Sequence, residues 1–229
     1  MRPLPQRPHH AVPICVTLAA AITAALPFVV PAQAGAATCT LDRHCYGQVQ
    51  SFPTEVDGIA ATIAPSCLAT GTAWNSFVTD EMWLSDSSGT YWIETGIIQN
   101  KYGNINGLGS GRKVFWAERT TSHAFIAHGV DTNGLPDSRF NIVAIAGQRF
   151  HVRYDGHTAV TSTDSVSPSE GIYGSETTNA RSHNRAAWTD VRYHAGGRWF
   201  RGVVNPVVTR EQPLSWLTRY RSLRAGNAC

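Results

Sequence analysis

Apolar and polar residues alternate along much of the chain from residue 74 to about residue 204. Side chains of an extended strand point to opposite faces in turn, so this alternation indicates strands that are buried on one face. The strands that the pattern predicts are 76–84, 90–99, 113–119, 123–130, 139–146, 149–154, 157–163, 170–176, 186–194 and 198–204. Short strands separated by turn residues are typical of an all-β protein, here an antiparallel β-sandwich.

The segments on either side of these strands lack the alternation. The segment 35–73, with scattered Pro and Gly, is predicted to be irregular and disulfide-linked, and 74–229 is predicted to form the sandwich domain. Four glycines make 100–112 an exposed, mobile loop in this interpretation. The segment 210–222 is predicted to be a short C-terminal helix.

The first 34 residues have the order of a secretory signal peptide. A short basic region precedes an uncharged run from 11 to 30, and the small-x-small pattern Ala32-Gln33-Ala34 follows. The alternative is a transmembrane anchor, but Pro13 and Pro27 interrupt the run. We therefore expect a secreted, extracellular protein of 195 residues after removal of 1–34 from the 229.

Cysteine usage agrees with an oxidising compartment. Cys39, Cys45, Cys67 and Cys229 remain after the leader, and four cysteines allow two disulfides in three pairings. We favour a local Cys39–Cys45 loop and a Cys67–Cys229 link that ties the C-terminus to the body. A zinc site is not expected, because no CxxC spacing occurs.

Charge gives no sign of a polyanionic partner. The chain has 19 basic and 16 acidic residues, and two of the basic ones, Arg2 and Arg7, lie in the leader. Nucleic acids and anionic membranes require clustered basic charge, so neither is an expected partner. No paired-histidine or phosphate-binding glycine motif is present. We expect a monomer without a cofactor or a metal.

Three predicted strands carry a tryptophan and a glutamate on one face and apolar residues on the other. The pairs are Glu81 with Trp83, Trp92 with Glu94, and Trp116 with Glu118. A second layer of core would explain the tryptophans, but a carboxylate is rarely buried without a partner. The pattern favours a substrate groove lined by Trp83, Trp92, Trp116 and Glu118.

Two short motifs resemble a known family. Thr90-Tyr91-Trp92-Ile93-Glu94-Thr95-Gly96 resembles the central strand of the neprosin-type glutamic peptidases, and Gly174-Ser175-Glu176 is similar to their Gly-Gly-Glu strand. The resemblance spans about residues 74–200 and implies a concanavalin-like jelly roll with Glu94 and Glu176 facing one another. The fungal glutamic peptidases are more remotely similar and have Gln where this chain has Glu94.

The resemblance implies an acid-active endopeptidase with Glu94 and Glu176 as catalytic residues. Two neighbouring carboxyls share a proton, so one activates a water while the other protonates the scissile amide. The substrate would then be a polypeptide. The alternative from another class is a carbohydrate- or cell-surface-binding module, in which tryptophans stack on the sugar rings of a polysaccharide.

Overall fold

Strands of two antiparallel sheets account for all regular structure in the part of the chain that the computed structural model describes. Those residues are 44–72, 76–103, 105, 107–120, 125–131, 137–145, 149–162, 166–178 and 181–227. The predicted antiparallel β-sandwich is confirmed. No helix long and apolar enough to cross a membrane occurs among these residues.

The strands follow one another along the chain as β1 (Cys45–Ser51), β2 (Gly58–Ala69), β3 (Phe77–Ser85), β4 (Trp92–Asn100), β5 (Gly111–Arg119), β6 (Ile126–Asp131), β7 (Ser138–Ala144), β8 (Phe150–Tyr154), β9 (His157–Thr161), β10 (Glu170–Thr177), β11 (His183–Ala195), β12 (Arg198–Arg201), β13 (Val207–Arg210), β14 (Leu214–Thr218) and β15 (Ser222–Ala225). A seven-stranded front sheet has the order β13-β1-β10-β3-β4-β5-β6. An eight-stranded back sheet has the order β14-β15-β11-β2-β7-β8-β9, and β12 pairs with β11 outside that path. The ten strands that the alternation predicts correspond to β3 through β12.

The main core lies between the two sheets. Its members include the fully buried Met82 and Ile93 of the front sheet and Phe140 and Trp188 of the back sheet. Burying a large apolar side chain contributes about 1.5–3 kcal/mol, so this layer is the principal source of stability. Apolar positions of the alternating strands are expected to lie inside, and Val78, Met82, Ile93, Ile97 and Phe140 are buried, whereas Phe115 is buried outside the main core.

The prediction that residues 35–73 are irregular is wrong for the part that the structure describes. Strand β1 pairs with β10 in the front sheet, and β2 lies between β11 and β7 in the back sheet. The first half of β2 is buried on both faces, so its sequence shows no alternation. Pro65 sits in β2 where the pairing with β11 shifts register, a place where a sheet tolerates proline.

The predicted C-terminal helix is also wrong. Residues 210–222 contain the end of β13, all of β14 and the turn that leads into β15. Trp216 pairs with Leu223 across that turn, and both belong to or pack on the main core. Pairing of β14 with β15, which itself pairs with β11, therefore outweighs the local preference of this segment.

The segment 100–112 is less exposed than predicted, because it folds back onto the front sheet. Leu108 is buried there with Phe115 and Ala117 in a second apolar cluster, away from the main core. Gly107 has φ of +85°, and a Cβ built on it would overlap the carbonyl oxygen of Ala127. Glycine thus allows this loop to approach β6 closely.

Several predictions concern residues outside the described part of the chain. The signal peptide 1–34 falls there, as do Cys39 and Cys229. Cys45 and Cys67 are both disulfide-bonded. The pairings Cys39–Cys45 and Cys67–Cys229 stay predictions.

Candidate active site

A cleft of about 630 Å³ lies on the outer face of the front sheet, opposite the main core. Side chains of β1, β10, β3, β4 and β5 form its floor, and Ile105 and Leu108 of the loop before β5 close one side. The floor is built from alternate residues of each strand, because only every second side chain points to this face. The side chains that line the cleft are therefore different from those that the same strands contribute to the main core.

Four glutamates line this cleft, and three of them form one group: Glu81 of β3, Glu94 of β4 and Glu176 of β10. The fourth, Glu170, lies at the other end of β10. Glu94 pairs with Trp83 and Glu176 pairs with Thr79, so each is two residues away from the level of Glu81. Such diagonal neighbours on adjacent strands lie about 7–8 Å apart. The structure thus brings the two sequence-predicted catalytic glutamates into one cleft and places Glu81 between them. Sequence reasoning put Glu81 on the tryptophan face without assigning it a role.

Glycines flank Glu81 on both neighbouring strands. Gly96 of β4 and Gly174 of β10 are its register partners. A Cβ built on Gly96 would overlap the carbonyl oxygen of Asp80, and one built on Gly174 would overlap that of Gly47. The two residues that pair directly with Glu81 on the neighbouring strands therefore have no side chains. The space between the three glutamates remains open as a result.

Burial and mutual repulsion control the protonation of the carboxyls. Burial, together with the charge of Glu176, raises the pKa of Glu94 to about 8, although part of its surface still faces the cleft. Burial also raises the pKa of Glu81 well above its usual range, and Glu94 and Glu176 add to that rise. Like charges this close cannot all ionise in a low dielectric. Glu94 is consequently protonated in acid and up to neutral pH, and the pKa of Glu81 shifts in the same direction.

Glu176 has a cationic neighbour at the edge of the cleft. His44 Nδ1 forms an ion pair with Glu176 Oε1 at the edge of the cleft. The hydrogen bond and the charge of Glu176 raise the pKa of His44 against the opposing effect of its burial. The Tyr46 hydroxyl lies beside the same carboxylate, and burial and nearby carboxylates raise the pKa of Tyr46. This arrangement stabilises negative charge at Glu176.

The back sheet holds the site strands in register from behind. Trp188 Nε1 of β11 donates to the carbonyl oxygen of Glu81 at 3.1 Å. Asn184 Nδ2, also of β11, donates to the carbonyl oxygens of Thr79 at 2.7 Å and Glu176 at 3.1 Å. Both donors are buried, so these bonds fix the backbone positions from which the glutamates project.

Several buried polar atoms at the floor of the cleft lie close to one another without a well-formed hydrogen bond. Within the described residues, these include Glu81 Oε1, Thr79 Oγ1 and Trp83 Nε1. An unpaired buried polar atom costs about 1–3 kcal/mol. The Thr79 hydroxyl and the Trp83 indole N–H both face the Glu81 carboxyl, where they partly offset the rise of its pKa.

The tryptophans divide between the two faces of the front sheet. Trp83 and Trp92 line the cleft as predicted, but Trp116 and Glu118 do not. Trp116 pairs with Thr95, and Glu118 pairs with Ile93, so both point toward the sandwich interior. The prediction failed because β5 carries apolar residues on both faces, and its alternation therefore does not specify which face is buried. Phe115 and Ala117 occupy the cleft face instead.

We expect substitution of a core-facing tryptophan to affect stability and substitution of a cleft-facing tryptophan to affect substrate binding. Trp116→Ala should lower the free energy of unfolding by about 3–5 kcal/mol, because it empties a core position. Trp83→Ala should change stability less and raise KM for any substrate of the cleft, since its ring borders the carboxyls. Denaturant unfolding and steady-state kinetics of the two variants test this. A Trp116 variant of wild-type stability would contradict the assignment of faces.

No group of three or more His, Cys, Asp or Glu side chains within the described residues is arranged to hold a metal ion. The three cleft glutamates share their environment with tryptophan, tyrosine and apolar side chains. The chemistry that these residues themselves can perform is proton transfer between carboxyls and a bound water or peptide.

The fold and the cleft define a β-sandwich with a carboxyl-lined groove on one sheet. Two solved structures of scytalido-glutamic peptidase, one with a peptide-based transition state analog and one with a transition state analog inhibitor, share this fold. Each has a TM-score of 0.54 and 9% sequence identity and covers 79% of this chain and 97% of its own. SCP-B of the eqolisin family, solved with the tripeptide Ala-Ile-His, has a TM-score of 0.48 and 10% identity and covers 79% and 96%.

No protein-family model and no curated protein sequence matches the chain. At 9% identity, the likeness to scytalido-glutamic peptidase shows a common fold. The chain therefore has a glutamic-peptidase-like β-sandwich fold.

Proposed function

We propose that this protein is a secreted, acid-active glutamic endopeptidase in which Glu94 and Glu176 form the reacting pair. The observation that carries the proposal is one cleft that contains both glutamates, with Glu94 protonated and Glu176 ion-paired to His44. The glutamic-peptidase-like fold supports it, as does the motif resemblance to the neprosin-type enzymes. Within that fold, we favour the neprosin-type branch because both motif glutamates are present.

Each glutamate has a distinct role in the proposed reaction. The Glu176 carboxylate takes a proton from a water molecule, whose oxygen attacks the carbonyl carbon of the scissile peptide. Glu94 gives its proton to the carbonyl oxygen at the same time, which forms a neutral tetrahedral intermediate. Glu176 then gives its proton to the peptide nitrogen, and the carbon–nitrogen bond breaks to release the amine. As the carboxyl group of the product forms, one hydroxyl of the intermediate returns its proton to Glu94. The sum is hydrolysis of an amide by one water, with both glutamates restored.

The walls of the cleft are suited to an extended peptide. Trp83 and Trp92 provide large rings at one end, and Ile98, Leu108 and Phe115 form an apolar surface on the β4–β5 side. Aromatic and apolar walls with a few polar atoms are typical of small-molecule and peptide sites. The structure leaves fewer groove tryptophans for a polysaccharide than the sequence predicted, because Trp116 faces the core.

Secretion rests on the leader and the cysteines. Residues 1–34 have signal-peptide order, and both described cysteines, Cys45 and Cys67, are disulfide-bonded. Disulfides persist in oxidising compartments outside the cytosol. We propose extracellular action on polypeptides by a monomer.

Digestion of an unfolded protein at about pH 3–5 tests the proposed function directly. Protein recovered from culture medium should cleave the substrate internally, and the chelator EDTA should leave the rate unchanged. Absence of cleavage over about pH 2–7 by protein with a native, strand-type circular dichroism spectrum would contradict it. Retention on insoluble polysaccharide that depends on Trp83 and Trp92, and not on Glu176, would identify the binding module instead.

A further inference from the structure

Glu81 is the central carboxyl of the cleft, and the proposed reaction leaves it without a role. Its side chain is only 1% exposed, and the Thr79 hydroxyl and the Trp83 indole N–H lie beside its carboxyl. Gly96 and Gly174 keep both sides of it free of other side chains. Burying a carboxyl is energetically unfavourable, and Glu94 and Glu176 lie diagonally across from Glu81 on the two neighbouring strands. The presence of a third carboxyl here therefore requires an explanation.

The groups that face Glu81 set its charge state. The other titratable or charged residues that line the cleft are His44, Tyr46, Glu94, Arg119, Glu170 and Glu176. His44 is engaged by Glu176, and Arg119 lies over the Trp92 ring at 5.5 Å. From the back sheet, Trp188 reaches only the backbone carbonyl of Glu81. Asp80, next in sequence, points to the other face and accepts a hydrogen bond from Ser175 at 2.9 Å.

Charge and burial thus favour a neutral Glu81. Burial raises the pKa of Glu81, and the nearby Glu94 and Glu176 raise it further. A neutral carboxyl is a hydrogen-bond donor, whereas an ionised one only accepts. The acceptor within diagonal reach that carries negative charge is Glu176, since Glu94 is itself protonated.

We propose that Glu81 is a positioning residue for the reaction proposed above: it stays protonated and donates its carboxyl O–H to ionised Glu176. A hydrogen bond to the charged form of a carboxyl favours that form. Glu81 thereby stabilises the ionised form of the proposed base. The inference rests on the proposed function for its role in catalysis. The interaction itself rests on the strand register, the burial of Glu81 and the charges around it.

Two variants of Glu81 test whether its hydrogen-bond donor matters, as distinct from its ability to ionise and its size. Glu81→Gln keeps the size and an N–H donor, and Glu81→Leu removes the donor. For kcat/KM against pH, the acid limb of the Gln variant should match that of wild type. The acid limb of the Leu variant should move upward by about one pH unit, which is a tenfold loss at the acid end. KM should stay within about twofold, and Glu118→Gln, which removes a buried carboxyl from the other face, is the matched control.

Titration of the carboxyl carbons by ¹³C NMR gives a readout that does not need activity. The Glu176 signal, assigned by its loss in Glu176→Gln, should titrate about one pH unit higher in Glu81→Leu than in wild type. A purely structural role would lower the thermal midpoint without moving this titration. If the Leu variant does not fold, Glu81→Met, which also lacks a donor, replaces it.

The outcomes distinguish this inference from the proposed function. An unmoved Glu176 titration in the variants without a donor overturns the inference, even if wild type is an active peptidase. A Gln variant that behaves like the Leu variant also overturns it. A moved titration in a protein that cleaves no peptide supports the interaction and contradicts the proposed function.

Discussion

Replacing Glu176 by Gln is expected to lower kcat/KM for an unfolded protein substrate by at least about 10³-fold at about pH 4. The amide is the same size but cannot accept the proton of the attacking water, so the first step loses its base. Steady-state cleavage of a quenched fluorescent peptide measures the loss. The thermal midpoint should change little, because the His44 ring in the lost ion pair is about half exposed, with 53% of its side-chain surface accessible.

The matched variant Glu94→Gln should show a smaller loss, of about 10²-fold. The introduced amide would keep a donor toward the carbonyl oxygen but could not release a proton, and the alkaline limb set by Glu94 should disappear. The exposed Glu55 gives the control Glu55→Gln, which should retain wild-type rates. Equal activity of wild type and Glu176→Gln would remove Glu176 from the mechanism.

Stability is expected to fall as the pH rises from about 5 to 8, which is opposite to the usual behaviour of paired carboxylates. The folded-state pKa of Glu94 is raised to about 8, and that of Asp80, buried in the front sheet, is also raised to about 8 by burial. Their unfolded values are about 4, so between about pH 4 and 8 the folded state holds protons that the unfolded state has released. Each such proton reduces the free energy of unfolding by up to about 1.4 kcal/mol per pH unit.

The thermal midpoint should therefore drop by about 10–20 °C between about pH 5 and 8. The contribution of Glu94 to this drop is reduced, because part of its side chain is open to the cleft and so to solvent. His44 acts in the same direction, since its raised pKa gives stability that is lost as the pH rises through that value. Asp86 and Asp190 have lowered pKa values, so their contribution is lost only as the pH falls below about 4.

Differential scanning calorimetry across this range, with Asp80→Asn and Glu94→Gln beside wild type, measures the effect. Each substitution should flatten the dependence, because each removes one proton from the difference between folded and unfolded states. A thermal midpoint that is constant or rises from about pH 5 to 8 in wild type would be the opposite result. Such a result would mean that these carboxyls are ionised in the folded protein.

Strand periodicity predicted the middle of the fold closely and its ends poorly. Enough of the strands from β3 through β12 alternate for their positions to be predicted, although β5 is apolar on both faces and β10 is buried along its whole length. Strand β2 is interior to the back sheet and mixes alanines with Pro65, which hides the pattern. Strands β13, β14 and β15 are four or five residues long and depend on pairing with β1 and β11. Such short segments have no periodicity long enough to recognise.

The amino-acid sequence by itself determined the fold class, the core residues on most strands and the two motif glutamates, because these depend on local alternation and short motifs. Only the tertiary structure decided which face of β5 meets the cleft, since its register with β4 turns Trp116 and Glu118 inward. Only strand pairing placed Glu81 between Glu94 and Glu176, with Gly96 and Gly174 beside it. Gly174 and Glu176 come from β10, far along the chain from β3 and β4. The burial and the mutual repulsion that raise the pKa values of Glu81 and Glu94 exist only once these strands are paired.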